Sequence, residues 1–146
     1  MFDHGLTAGD GVFETVKVTG GMPFALTRHL RRLVRSATGL GLPAPEPEAV
    51  SAGVSAVLKA SGNPDRARLR ITVTGGDSPL GSQRGPGPLT VVIALSELTD
   101  WGASCDVVTV PWPRNERGAL AGLKTTSYAE NVVALAYARE RPRVAA

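Results

Sequence analysis

The chain of 146 residues is 42% hydrophobic and 20% charged, the composition of an ordinary globular domain that can bury one core. Its 16 lysines and arginines against 13 aspartates and glutamates give a formal net charge of +3, a small excess rather than a basic patch. Neither a leader-like start nor an apolar run of bilayer-spanning length is evident, so we expect a cytoplasmic protein without a membrane partner.

The first half of the chain predicts a loop, a β-hairpin and two helices. Three glycines and two aspartates fall within 3–11, which indicates a tightly turning loop. Residues 12–18 alternate apolar and polar, and two glycines then separate them from a short returning strand at 23–26. Thr27 is the expected N-cap of a first helix, and apolar residues at helical spacing within 50–58 predict a second.

The second half predicts three more strands and a final helix. The strands are expected at 67–74, 89–95 and 106–110. A loop rich in Gly, Pro and Ser occupies 75–88, and helical spacing of apolar residues predicts a helix over 127–141. The order β-β-α-α-β-β-β indicates an α/β fold, with a small mixed sheet and two helices, followed by the first helix of a further unit.

Composition also divides the chain. Pro, Asn and Gly cluster with charges at 113–118, which predicts a linker. We therefore expect a small α/β domain over 1–112 and the start of an incomplete second domain over 119–146.

The single cysteine, Cys105, excludes an internal disulfide, and its strand-like flanks predict a buried structural thiol.

Nucleic-acid and metal binding find little support in the sequence. Four arginines cluster between Arg28 and Arg35, but neither an RNA-binding signature nor zinc-ligand spacing accompanies them. His4 and His29 have no metal-ligand companions, which indicates packing or capping. We expect no nucleic-acid partner and no metal.

Two stretches together resemble a known family. One is DHGLTAGDGVFET at 3–15, with Phe24 and the HLRRL of 29–33, and the other is GLKTTSYAENVVA at 122–134. In order and spacing they are similar to the class IV (fold-type IV) pyridoxal-phosphate enzymes, which include branched-chain aminotransferases, D-amino-acid aminotransferases and aminodeoxychorismate lyases. The segment after the lysine is most similar to the aminodeoxychorismate lyase-like members.

The resemblance implies a role for five residues. Lys124 would form an imine with pyridoxal 5'-phosphate and later move a proton, and Arg32 would contact the cofactor phosphate, which suits a planar guanidinium. Phe13 and Glu14 occupy positions that line the substrate side of the pocket in relatives, and Arg70 one that meets the substrate carboxylate. From the residues alone, Lys124 and Arg70 are equally interpretable as solvated surface side chains, and Phe13 as a core aromatic.

Two positions depart from branched-chain aminotransferases. Tyr128 lies one place before a cofactor-contacting tyrosine of those enzymes, so we transfer no such role to it. Ala8 stands where some relatives have a tyrosine, which counts against a branched-chain substrate.

By resemblance, we expect an aminodeoxychorismate lyase-like enzyme that acts on a small amino substrate and forms 4-aminobenzoate and pyruvate for folate synthesis. A D-amino-acid or branched-chain aminotransferase is the alternative, and an inactive binding module is the alternative from another class. A phosphate-binding regulatory domain on the glycines of 75–87 is a weaker alternative, because these glycines match no phosphate-loop spacing.

The resemblance to the family implies a homodimer. Relatives begin earlier and continue past the lysine helix, so we expect a fragment, clipped at both ends, whose site is incomplete in one chain.

Overall fold

The computed structural model describes residues 2–100 and 102–141. Its elements, in chain order, are α1 (His4–Thr7), β1 (Gly11–Thr19), β2 (Met22–Pro23), α2 (Leu26–Gly39), α3 (Pro47–Ala60), β3 (Arg66–Thr74), β4 (Thr90–Ser96) and α4 (Ala129–Arg139). None of these helices has both the length and the apolar character needed to cross a membrane.

Four strands form one sheet in the order β2-β1-β3-β4. The α/β fold is confirmed, but every strand pair in the described residues is antiparallel, where we expected a mixed sheet. The reason is that β2 has only two residues, so the chain has not travelled back along the sheet when α2 begins. Helix α2 runs down beside β1 and α3 returns, and β3 therefore starts at Arg66 beside Thr19, the last residue of β1.

Alternation along the strands turns one face of the sheet toward α2 and α3, and we call this the inner face. Val12, Val16 and Val18 of β1 lie on it beside Leu69 and Val73 of β3, and none of them has more than a trace of exposed surface. The helices contribute Leu30, Leu33, Ala37, Val50, Val54 and Leu58 to the same core. Full burial of a side chain of this kind contributes about 1.5–3 kcal/mol, so this row joins sheet and helices. The opposite side is the outer face.

The element predictions through β4 are confirmed with shifts at the ends. The N-cap prediction is wrong, because α2 begins at Leu26 and Thr27 lies in its first turn. Ala25 precedes the helix in the left-handed region, with φ 53, and its carbonyl accepts hydrogen bonds from the backbone of Arg28 and His29. The predicted first loop also contains the short helix α1, which Asp3 caps by accepting from the Gly5 N–H at 2.9 Å.

The strand predicted at 106–110 is wrong, since the described residues between β4 and α4 form neither a helix nor a strand. A β-prone segment becomes a strand only when it joins a ladder, and the described sheet consists of β1 to β4. Cys105 is exposed, so the prediction of a buried thiol is wrong as well. The final helix is confirmed at Ala129–Arg139, residues 142–146 lie outside the described chain, and the domain boundary at 112 stays a prediction.

An ion pair fastens the N-terminal segment to the long loop between β3 and β4. Asp10 accepts hydrogen bonds from Nε and Nη2 of Arg84 at 2.6 and 2.7 Å. Arg84 also donates to the carbonyl oxygens of Leu40 and Gly41, both at 2.7 Å, just after the end of α2. The Arg84 guanidinium holds the pKa of Asp10 below its ordinary value, although burial opposes this. One arginine therefore joins three segments that are distant in sequence.

His4 lies against the same ion pair, with a side chain only 3% exposed. Its Nδ1 is 2.7 Å from Oδ2 of Asp10, and its Nε2 is 2.9 Å from the carbonyl oxygen of Gly81. An ionised carboxylate and a carbonyl oxygen only accept hydrogen bonds, so the two contacts are both satisfied by the protonated ring, in which each nitrogen donates. The bond to Asp10 raises the pKa of His4 above its ordinary value, and the bond to Gly81 adds to this.

The contact between the N-terminal segment and the loop at 75–88 should weaken as pH rises. Because the pKa of folded His4 lies above the unfolded value, the imidazolium stabilises the folded chain fully below the ordinary histidine pKa. This stabilisation is lost as pH rises through the raised pKa. We expect the thermal unfolding midpoint to fall, and proteolysis within 75–88 to speed up, over that interval. In His4→Gln the unfolding midpoint should already be lower, and proteolysis already faster, at low pH. Neither quantity should change much as pH rises.

Circular dichroism melts and limited proteolysis between about pH 6 and about pH 9 provide the measurement. His29→Gln is the matched control, because it removes the other histidine of the sequence and leaves the His4 contacts in place. An unchanged pH dependence in His4→Gln would contradict the assignment.

Candidate active site

Lys124 is held against the first strand although more than a hundred residues separate them in sequence. The Phe13 N–H donates to the Lys124 carbonyl at 3.1 Å, and the Thr126 N–H donates to the Gly11 carbonyl at 2.8 Å. These bonds form an antiparallel bridge that pairs Val12 with Thr125. The bridge uses the edge of β1 that β2, paired only at Val18 and Thr19, leaves open.

Helix α2 fixes the same segment from the inner side. Ser36 is buried in the last part of α2, and its Oγ accepts the Lys124 N–H at 3.2 Å. Gly39 lies against Leu123, since a Cβ added there would come within 2.6 Å of the leucine Cδ2. The backbone of Lys124 is therefore fixed on both sides, while its side chain is only half-buried.

Three cationic and aromatic side chains meet on the outer face around Phe13, which is 4% exposed. The Lys124 Nζ lies 3.8 Å from the Phe13 ring centre, and the Arg70 guanidinium carbon lies at the same distance. Both cations therefore pack against the same aromatic ring. Tyr128 meets the edge of the ring at 5.0 Å between centroids, and its hydroxyl accepts from Lys124 Nζ at 3.3 Å.

Arg70 belongs to a row of cations on the outer face. With its register partners Thr15 and Ala94 it lies in the middle of the sheet, and its Nε donates to the Thr72 hydroxyl at 3.2 Å. Partial burial lowers the pKa of Arg70. The outward positions of β1 and β3 carry Lys17, Arg66, Arg68 and Arg70, and no acidic residue.

Arg32 is bound on the inner side to Glu14. Its Nε and Nη2 each donate to a different oxygen of the Glu14 carboxylate at 2.6 Å. Nδ1 of His29 lies 2.8 Å from Oε2 of the same carboxylate. The Glu14 side chain has no exposed surface, whereas that of Arg32 is 44% exposed. Burial raises the pKa of Glu14, but hydrogen bonds from Arg32 and His29 outweigh it and hold this pKa below its ordinary value.

A cleft of about 630 Å³, within the usual range of small-molecule sites, opens beside Lys124. Its lining residues are Arg32, Arg35, Arg114, Asn115, the segment 118–125, Ser127, Tyr128 and Glu130. Four of them are cations and one is an acid. Gly122, at φ +79, leaves open space where a Cβ would stand. An amine, several cations and an unobstructed backbone are the chemistry that a phosphorylated aldehyde such as pyridoxal phosphate requires, so the residues present fit it.

The structure brings most of the sequence-derived candidates together. Lys124, Phe13 and Arg70 are in mutual contact through the ring, and Arg32 lines the same cleft as Lys124. Glu14 is the exception, because it points to the inner face and its two oxygens are bonded to residues of α2. Its position could have been foreseen, since even-numbered residues of β1 form the buried row of valines.

Sequence reasoning missed two residues of the site. Tyr128 touches both Lys124 and Phe13, and its spacing of four from the lysine was a usable signal that the two share one side of a turn. Ser36 had no such signal, because a serine within a helix predicts nothing about a backbone amide 88 positions later. His29 has a supporting role of the kind expected, since its Nδ1 lies 2.8 Å from Oε2 of Glu14.

Comparison with known proteins agrees with this geometry. The family model described as amino-transferase class IV matches residues 11–143. A Methanocaldococcus jannaschii protein, provisionally described as a branched-chain-amino-acid aminotransferase, is 37% identical over 81 residues, which are 56% of this chain and 28% of that protein. A fold IV transaminase from Curtobacterium pusillum is 35% identical, with a TM-score of 0.74 over 91% of this chain and 48% of its own.

Two further solved structures are similar. A hypothetical aminotransferase from Mycobacterium tuberculosis in a PLP-bound form is 28% identical, with a TM-score of 0.72 over 93% of this chain and 50% of its own. The 4-amino-4-deoxychorismate lyase from Pseudomonas aeruginosa is 26% identical, with a TM-score of 0.63 over 99% of this chain and 53% of its own. The chain thus spans about half the length of these solved structures. With the matched model covering most of its residues, the chain belongs to the class IV aminotransferase family.

Proposed function

We propose that this chain binds pyridoxal 5'-phosphate through Lys124 and contributes to amino-group chemistry on a small anionic amino substrate. The observation that carries the proposal is the position of the Lys124 Nζ, which stands on the Phe13 ring in the cleft that Arg32 also lines. A relative 28% identical has been solved with this cofactor bound.

Each residue of the cleft has a separate task in this proposal. The bound cofactor would supply an electron sink that lowers the energy of a carbanion at the substrate carbon bearing the amino group. Lys124 would hold the cofactor, and its Nζ would take the proton from that carbon. The Tyr128 hydroxyl orients Nζ by a hydrogen bond, and the Phe13 ring keeps water from its near side. Arg32 would bind the phosphate.

The outer face favours an anionic substrate. Arg70 lies as close to the Phe13 ring centre as Lys124 does, at 3.8 Å, and Arg68 and Lys17 continue the positive row along the sheet. A branched aliphatic side chain gains from an apolar pocket, whereas two carboxylates gain from paired cations. We therefore propose an aminodeoxychorismate lyase-like activity, which converts a dicarboxylate to 4-aminobenzoate and pyruvate. A homodimer and a cytoplasmic location belong to the same proposal.

Aminotransfer to a 2-oxo acid is the second candidate, favoured by the 35% identity to the Curtobacterium transaminase. It uses the same lysine and cofactor phosphate contacts, and differs in the fate of the substrate carbanion. Products distinguish the two reactions, since only the lyase reaction releases pyruvate and an aromatic amine from one substrate.

Attachment of the cofactor should depend on Lys124 alone. The sequence has three lysines, and Lys17 and Lys59 are exposed on other parts of the fold. We expect borohydride treatment of the chain mixed with pyridoxal phosphate to fix the cofactor on the peptide that contains Lys124, as measured by mass spectrometry. Lys124→Ala should lose this attachment and Lys59→Ala should keep it. Equal labelling of all three lysines would sink the proposal.

The lyase activity should depend on Arg70. With the cofactor bound, we expect pyruvate and fluorescent 4-aminobenzoate from aminodeoxychorismate, with kcat/KM reduced roughly tenfold or more in Arg70→Ala, since a charged hydrogen bond to substrate is lost. Arg66→Ala is the matched control, because Arg66 lies at the far end of β3 and pairs with Asp100. If the chain instead forms glutamate from leucine and a 2-oxo acid, and no pyruvate, its activity is that of the transaminase and not of the lyase. If neither reaction is observed, the inactive binding module is the remaining alternative.

A further inference from the structure

We propose that Glu14 is a positioning residue that holds Arg32 in the orientation needed to bind the cofactor phosphate, rather than a residue that contacts substrate. This inference rests on the proposed function, since it concerns the phosphate of the same cofactor. It assigns a task to a carboxylate that has no exposed surface and therefore cannot itself meet a ligand in the cleft.

The geometry of the guanidinium is the first argument. Glu14 occupies the edge formed by Nε and Nη2, with both hydrogen bonds at 2.6 Å. A guanidinium has five N–H donors in a fixed plane, so engaging this edge fixes the direction of the remaining donors on Nη1 and Nη2. Those donors belong to a side chain that is 44% exposed and lines the cleft beside Lys124. Glu14 therefore binds the buried edge of the Arg32 guanidinium, and the exposed edge keeps its donors available to a ligand in the cleft.

The position of Glu14 in the core is the second argument. It stands in the inner row between Val12 and Val16, where a third valine would pack without any charge to desolvate. Burying a carboxylate is unfavourable unless well-placed donors compensate, and an apolar replacement of a buried ion pair is often no less stable. Stability alone therefore does not account for a carboxylate here, whereas fixing a cation at the rim of the cleft does.

His29 supplies a second brace. Its Nδ1 and the Nη2 of Arg32 converge on the same oxygen of Glu14, and the two residues lie three positions apart on α2. The carboxylate is thereby held from the helix that also fixes the Lys124 backbone through Ser36. Glu48, an exposed acid in the first turn of α3, does not line the cleft and does not bind Arg32, so it offers a control of the same charge.

The test compares pyridoxal phosphate with pyridoxal, which has the aldehyde but no phosphate. Dissociation constants are measured by absorbance titration for the wild-type chain, Glu14→Gln and Glu48→Gln. A glutamine keeps one acceptor oxygen but places an amide N–H₂ against the other Arg32 donor, so the two-point contact that orients the guanidinium is lost. We expect Glu14→Gln to weaken pyridoxal phosphate binding about tenfold and pyridoxal binding by less than about twofold, with little change in Glu48→Gln. In an Arg32→Ala background Glu14→Gln should have no further effect on the ratio of the two constants.

If Glu14 had only a structural role, Glu14→Gln would weaken the binding of both ligands equally and leave the ratio of the two dissociation constants unchanged. That result would overturn the proposal. If Glu14→Gln does not fold, His29→Gln decides in its place, because it removes one donor to Glu14 from a side chain 20% exposed. The expected effect is a smaller loss, about threefold, confined to the phosphorylated ligand. Failure of the wild-type chain to bind either ligand through Lys124 would overturn the proposed function itself, and with it this inference.

Discussion

The candidate site depends on one short antiparallel bridge, in which the backbone of Lys124 and Thr126 pairs with that of Phe13 and Gly11. Two hydrogen bonds at the open edge of β1 bring a lysine from the last quarter of the chain onto an aromatic ring near its beginning. β2 is paired with β1 only at Val18 and Thr19, and this leaves the edge free. The shortness of one strand thus makes room for the segment that carries Lys124.

The two-residue period of β1 then divides the chemistry between its faces. Phe13 points outward, where it contacts Lys124 and Arg70, and Glu14 points inward, where it meets α2. Neighbouring residues of β1 therefore contact different residues of one cleft, Phe13 contacting Lys124 and Glu14 binding Arg32. A shift of one residue in the register of β1 would exchange the two and destroy both arrangements.

Two enclosed ion clusters connect the fold to this cleft. Asp10 with His4 and Arg84 ties the N-terminal segment and the long loop to the end of α2, and Glu14 with its partners ties β1 to the middle of the same helix. α2 is consequently fixed at two points along its length, beside Ser36, which holds the lysine backbone. By contrast, α4 has no buried residue among those described, and several of its apolar side chains are exposed.

The sequence by itself determined the family, the α/β class, and most strands and helices, because local periodicity and a motif of fixed spacing are properties of short segments. It failed at 106–110, where a valine-rich run forms no strand, and at Cys105, which is exposed. Only the tertiary structure decided that Glu14 binds Arg32, that Ser36 binds the backbone of Lys124, and that the sheet is antiparallel. Each of these is a contact between different elements of the fold, which depends on how strands pair and on which face each side chain lies.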